Sequence, residues 1–353
     1  MEGKDYLKGR GAQYNPHNKF VQDVYGKFHI EAIDSFEEES NKTIFIPSEG
    51  KSLVHKVDSP DVGMAFSANP YQGCEHGCIY CYARNSHQYW DMGSGLDFER
   101  KIIVKTNAVE LFEKFITRKN WNFTPIHLSG NTDCYQPIER EKKLTRDILQ
   151  TALHYKQPIS IITKNALILR DKDILSELAK LGLLKVFVSI TSLNEDTRQK
   201  IEPRTVTAKQ RLRVVEELAN CNIPIGVNVA PVIPGLTDTE IPQILKASSD
   251  AGAKWANYII VRLNGQIGEI FKDWLQVAYP DRCDKIWNSI LSCHHGQVNN
   301  SNFGERMKGT GNIAEIIRNV FKLHCLKNKL NLEPFEYAKI DRLHYRDTQL
   351  SLF

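Results

Sequence analysis

The chain has 353 residues, 41% hydrophobic and 25% charged, an ordinary globular composition that is long enough for a core without disulfide staples. Its formal charge of +4, from 46 basic and 42 acidic residues, excludes a polybasic chain but leaves room for a local basic groove. No run of about 18 apolar residues marks a membrane span, and the charged start lacks an apolar signal core, so a cytoplasmic protein with no membrane partner is expected.

Residues 1–60 are polar and irregular, with the acidic run Glu37-Glu38-Glu39, and read as an N-terminal extension with little core of its own. From 61 to 265 a regular alternation takes over. Short apolar runs at Met64–Asn69, Ile126–Gly130, Ile159–Lys164, Val186–Thr191, Ile225–Ala230 and Asn257–Arg262 have the character of strands buried on both faces. Between them lie amphipathic helices. Thr145–Tyr155 puts Ile148, Leu149, Ala152 and Leu153 on one stripe, and Lys172–Leu181 ends at Gly182. Thr207 can cap one later helix, and Thr237 or Asp238 the next. Six βα units predict an α/β fold with a parallel sheet, an open, partial (βα)6 TIM-like barrel rather than a closed eight-fold one. Residues 266–345 read as a helical C-terminal region, with helices over Trp274–Cys293 and Ile313–Leu326, and 346–353 as a flexible tail.

In such folds ligands sit at the C-terminal ends of the strands. The cysteine cluster follows the first strand, and Asn131, Thr132 and Asp133 follow the second. Lys164 ends the third, and Ser189 and Thr191 lie near the end of the fourth, so the polar chemistry maps to one rim.

The cluster is Cys74, Cys78 and Cys81, spaced C-x3-C-x2-C, with Gly73 and Gly77 allowing tight turns. Three crowded cysteines in a reducing compartment suggest metal or catalytic chemistry. An electron-transfer cluster usually takes four thiolates, so a set of three leaves one iron open to a ligand. A zinc site completed by His76 or a distant cysteine, and chance clustering, are the other readings.

C-x3-C-x-aromatic-C, with Tyr80 at the aromatic position, resembles the signature of the radical S-adenosylmethionine (SAM) superfamily. The resemblance implies a [4Fe-4S] cluster held by Cys74, Cys78 and Cys81, SAM on the open iron, and an electron donor such as flavodoxin or ferredoxin. Cys81-Tyr82 and Ser129-Gly130-Asn131-Thr132-Asp133 are similar to segments of spore photoproduct lyase and its relatives. That likeness implies SAM contacts from Tyr80, Ser129, Asn131, Asp133, Lys164, Ser189 and Arg204, and a hydrogen-atom relay at Tyr82. Gly9-Arg10-Gly11-Ala12, Tyr135–Arg140 and Glu202-Pro203-Arg204-Thr205 resemble a less characterised branch of these proteins. One departure matters: the lyases carry a hydrogen-donating cysteine where this chain has Gly130, and Cys134 stands just beyond Asp133 as the alternative catalytic thiol.

Three weaker signals remain. Cys283, Cys293, Cys325, His294 and His295 lack metal-site spacing and read as packing or surface groups. Arg306–Asn312, ahead of a helix, has the character of a phosphate site. Gln349-Leu350-Ser351-Leu352-Phe353 resembles the peptide by which bacterial proteins bind the DNA sliding clamp. The expected function is therefore a radical SAM enzyme, with DNA lesion repair as the leading substrate reading. Alternatives are radical chemistry on RNA, protein or a small molecule, or a non-catalytic Fe–S or zinc module.

Overall fold

Hydrophobic runs bounded by turns build ten strands in the computed structural model, which describes residues 7–20 and 42–340. They are β1 (Ile44–Ser48), β2 (Val54–Lys56), β3 (Phe66–Ala68), β4 (Tyr71–Gln72), β5 (Lys101–Lys105), β6 (Ile126–Leu128), β7 (Ile159–Thr163), β8 (Leu184–Ser189), β9 (Ile225–Val232) and β10 (Trp255–Ile260). The larger sheet has the order β10-β9-β8-β7-β6-β3-β2. Six of its strands are parallel, and β2 joins antiparallel to β3 at one edge. This is the open, partial barrel expected of six βα units, with strand ends shifted by a few residues.

Helices cross between the strands at Leu144–His154, Lys172–Lys180, Ala208–Asn220 and Ile241–Asp250. Thr207 caps its helix by accepting from Gln210 N at 3.2 Å. Gly182, at φ 69°, closes the Lys172 helix in the left-handed region that glycine tolerates. Thr237 and Asp238 do not cap the Ile241 helix. Their oxygens accept from Ile233 N and Gly235 N, each at 2.9 Å, and so brace the loop after β9. Pro242, with its pre-set φ, occupies the first turn instead.

One face of the sheet meets the helices. Ile161, Val186, Val188, Val227 and Val229 pack with Leu149, Leu175, Leu178, Val215, Leu218, Ile244 and Leu245 in the main core. Alternate residues turn to the opposite face, the barrel lumen.

Several elements were not expected. β1, β5 and β4 form a separate three-stranded sheet beside the cysteine loop, and Ala108–Ile116 is a helix. Arg10, Gly11 and Ala12 are buried rather than loose. Pro280 opens a short turn that breaks the expected Trp274–Cys293 helix into Ile267–Ala278 and Cys283–Ser292.

After the helix Gly311–Lys327, the chain crosses the N-terminal ends of the barrel strands. Asn331 N donates to Lys254 O at 3.0 Å, Trp255 Nε1 to Glu333 O at 2.7 Å, and Ala338 N to Gly182 O at 3.0 Å. Among the described residues no helix is long and apolar enough to cross a membrane. Glu37–Glu39 and the terminal Gln349–Phe353 lie outside the described residues.

Candidate active site

The cysteine loop runs from β4 into a short helical segment, Tyr82–Trp90, at the C-terminal end of the sheet. Gly73 and Gly77, at φ 80° and 65°, give the loop its turns. A Cβ on Gly77 would lie 2.8 Å from Glu99 Oε2, so the close approach also requires glycine. Cys74 N donates to Phe98 O at 2.9 Å and Ile79 N to Ile201 O at 3.0 Å, which ties the loop to both sides of the barrel.

A buried clamp holds this loop from behind. Arg84 and Glu99 are both fully buried and paired at 2.5 Å. Arg84 also donates to Cys78 O, Ser94 O and Gly95 O. Glu99 accepts from Gly11 N at 3.1 Å and Ala12 N at 2.8 Å. The segment Gly9–Ala12 is thus an N-terminal arm laid against the cysteine loop.

All eight cysteines are free. Burial raises the Cys74, Cys78 and Cys81 thiols, and for Cys74 the other two add to the rise. At Cys81, Arg84 and Lys164 oppose it. Among the described residues no group of three or more His, Cys, Asp or Glu converges on one metal ion. Two buried thiols and the half-buried Cys81 on a glycine-turned loop, with cationic groups beside them, fit a polynuclear cluster, in which each thiolate takes its own iron.

Around the loop, Tyr80 is buried with its hydroxyl on Glu202. Glu202 also accepts from Thr191 Oγ1 at 2.7 Å and pairs with Arg211. Burial works to raise the Glu202 carboxyl, but Arg211 and Lys164 hold it at about 2. Tyr80 therefore anchors the loop to the barrel wall. Tyr82 is 55% exposed, and its hydroxyl donates to Gly130 O.

Asp133 is committed to structure rather than free for a ligand. Oδ1 accepts from Tyr135 N at 2.9 Å and Thr163 Oγ1 at 2.8 Å, and Oδ2 from Lys164 N at 2.8 Å. His76 Nδ1 lies 3.4 Å from Oδ2, and its Nε2 lies 3.2 Å from Asn165 Nδ2. Burial lowers His76 to about 4, so it is neutral and bridges the cysteine loop to β7.

Ser129, at φ 70°, accepts from Cys134 N at 2.8 Å. Asn131 lies at the rim, its backbone N donating to Asn69 Oδ1 at 2.9 Å and its side-chain Nδ2 to Ser86 Oγ at 3.2 Å. Lys164 is half-buried; burial works against its charge, but Cys78, Glu202 and Asp133 raise its pKa. Ser189 is buried, with its carbonyl accepting from Arg211 at 2.9 Å. Arg204 reaches Thr43 Oγ1 at 3.2 Å and lies 3.8 Å from Glu75.

Cys134 is fully buried within the main core, its carbonyl accepting from Thr145 Oγ1 at 2.6 Å. That placement gives it no open path to the rim. A Cβ on Gly130 would overlap Ser67 Oγ and lie 2.9 Å from Ser67 Cβ, so a cysteine there requires Ser67 to move.

The Arg306 segment departs from the phosphate reading. Arg306 is paired with Asp61, and Lys308 donates to Tyr258 O at 2.8 Å, with its ammonium 3.7 Å from the centre of that ring. His294 Nε2 binds Val261 O at 2.8 Å, and Cys283, Cys293 and Cys325 are buried.

The superfamily model for radical SAM proteins matches residues 68–247, just over half of the chain. The chain belongs to the radical SAM superfamily. Membership brings a [4Fe-4S] cluster and SAM as cofactors. An uncharacterised protein of Mycobacterium tuberculosis is 32% identical over 234 residues, which cover 65% of this chain and 69% of that one. One of Methanocaldococcus jannaschii is 29% identical over 251 residues, 70% of this chain and 89% of that one. Among solved structures, spore photoproduct lyase complexed with dinucleoside spore photoproduct superposes with a TM-score of 0.59 at 15% identity, covering 84% of both chains. At that identity the likeness is one of fold.

Proposed function

We propose that Cys74, Cys78 and Cys81 hold the cluster, that SAM lies along the rim at Ser129, Asn131, Lys164 and Ser189, and that the substrate is a base in DNA. The observation that carries the DNA part is the match of fold, over 84% of both chains, to a lyase complexed with a dinucleoside photoproduct. Held by those three cysteines, the cluster would supply one electron, from a flavodoxin- or ferredoxin-type donor, for the reductive cleavage of SAM to methionine and a 5′-deoxyadenosyl radical able to take a hydrogen atom from the substrate.

This chain's residues supply the setting. Lys164 offers a cation beside the cysteine loop for a carboxylate. Asp133, His76 and Tyr80 fix the loop that frames the rim. Exposure of Tyr82 at the rim and its hydrogen bond to Gly130 O support a hydrogen-atom relay through this residue. With Gly130 in place of a cysteine and Cys134 in the core, the substrate radical ends differently from the lyase's own.

The reading predicts 5′-deoxyadenosine formation that rises when UV-irradiated DNA is added to the reconstituted, reduced enzyme. No response to irradiated or intact DNA contradicts the substrate assignment while leaving the radical chemistry standing.

We also propose that Gln349–Phe353 docks on a sliding clamp. The proposal rests on the sequence Gln349-Leu350-Ser351-Leu352-Phe353, in which Leu352 and Phe353 suit an apolar pocket and Gln349 a hydrogen bond at its edge. Pull-down with clamp, comparing the full chain with one ending at Thr348, tests this. Equal retention of both contradicts it.

A further inference from the structure

A cleft opens beside the rim, and no barrel strand contributes to it. It encloses about 410 Å³ between the helical segment Tyr82–Trp90, the loop Asn264–Gln266 and the N-terminal residues Lys19 and Phe20. None of the residues lining it belongs to the cluster or SAM site proposed above. Asn18 fixes the N-terminal wall, its Nδ2 donating to Gln88 O at 3.0 Å and Met92 O at 3.2 Å, and Gln266 Nε2 donates to His17 O at 2.5 Å.

The segment Tyr82–Trp90 joins this cleft to the rim. Ala83, Arg84, His87 and Gln88 are buried, which leaves Tyr82, Ser86 and Tyr89 along one accessible stripe. Tyr82 meets Gly130 O at the rim, and Ser86 Oγ accepts from Asn131 Nδ2 at 3.2 Å. Tyr89 ends the stripe at the cleft. Seven residues of helical rise span roughly 10–14 Å, the length of about three or four nucleotides at ~3.4 Å each.

The cleft combines an aromatic plate with unmet acceptors. Tyr89, 76% exposed, stacks on Phe20, with ring centres 5.2 Å and planes 29° apart. Lys19 Nζ lies 4.9 Å from the centre of the Phe20 ring. Gln88 is only 2% exposed. Its Nε2 donates to Ser94 Oγ at 2.7 Å and Gln266 Oε1 at 2.6 Å, which fixes the amide and leaves Oε1 without a partner among the described residues. Asn85 Nδ2 donates to Asn264 O at 2.8 Å, and Asn85 Oδ1 and Asn264 Oδ1 are likewise buried without partners. Three buried carbonyl oxygens in one wall are costly until they meet a donor. An exposed ring backed by a second ring takes the face of a base. The exocyclic amino group of cytosine, adenine or guanine brings two N–H donors to such a wall, whereas thymine turns carbonyl oxygens toward it.

We infer that this cleft holds an unpaired base flanking the target. The strand leaves the rim along Tyr82 and Ser86, and an amino-bearing base stacks on Tyr89 with its amino group toward Asn85, Gln88 and Asn264, Lys19 supplying a cation for the backbone. The inference rests on the DNA reading and adds to it a second base site outside the barrel.

The test titrates reconstituted full-length enzyme with SAM into short fluorescein-labelled single-stranded runs of cytosine or of thymine, with binding read by anisotropy. The wild type binds the cytosine run more tightly by about fivefold or more. Tyr89→Ala weakens binding of that run by about fivefold or more and brings the two runs to within about twofold, whereas Tyr89→Phe, which keeps the ring, binds both as the wild type does. Equal binding of the two runs by the wild type, or a cytosine affinity that Tyr89→Ala leaves unchanged, overturns the inference and leaves the DNA reading standing. No binding of either run overturns the inference, and if 5′-deoxyadenosine formation also ignores added DNA, the DNA reading falls with it.

Discussion

Gly130 lies where two side chains meet: the Tyr82 hydroxyl bonds to its carbonyl, and Ser67 fills the space a side chain would need. Gly130→Ala therefore overpacks a buried contact and costs about 1–3 kcal/mol, read as a lower urea midpoint. Adding Ser67→Gly restores part of that loss, and additive losses in the double variant contradict the steric account. A second residue-scale expectation concerns pH. His127 is buried against Ser160, and burial lowers it from 6.5 to about 4; His87 is likewise lowered to about 4. Between these values the unfolded chain binds protons that the folded chain refuses, so stability is full above pH 6.5 and falls as the pH drops toward 4. His127→Gln should reduce the pH dependence of the urea midpoint across that window by about one proton. An unchanged slope contradicts the burial of a neutral imidazole.

At the scale of elements, the cysteine loop is held by the Arg84–Glu99 clamp and by the Gly9–Ala12 arm that Glu99 captures. Glu99→Gln leaves the Arg84 charge buried without its partner, which costs about 3–5 kcal/mol. It also lowers iron retention, read by iron analysis after reconstitution. Full stability with full iron content contradicts a clamping role. This clamp shows where sequence reading stops. The six barrel strands were legible because each is an apolar run between turn residues, and the triplet because its ligands are close in sequence. Arg84 and Glu99 carry no local signal: one follows the triplet, the other lies in a short helix, and only folding joins them. Asp133 misleads in the opposite direction. Its place in a motif points to a ligand contact, yet its oxygens are occupied by Tyr135, Thr163, Lys164 and His76. The Arg306–Asn312 segment misleads for the same reason, since its basic side chains are claimed by Asp61 and Tyr258.

Across the described residues, the barrel carries the cysteine loop on one rim and is sealed at its base. The seal comes from a segment at the far end of the chain, where Phe335 joins Trp255 and Phe187 around Lys185. Phe335→Ala should cost about 1–2 kcal/mol in urea unfolding, and an unchanged midpoint contradicts the seal. Anaerobic reconstitution with iron and sulfide, followed by SAM and dithionite, tests whether the rim carries radical chemistry. The expected result is a brown protein with about four irons per chain that releases 5′-deoxyadenosine, both lost when Cys74, Cys78 and Cys81 are changed to alanine. A colourless protein that holds one zinc and releases no 5′-deoxyadenosine contradicts it.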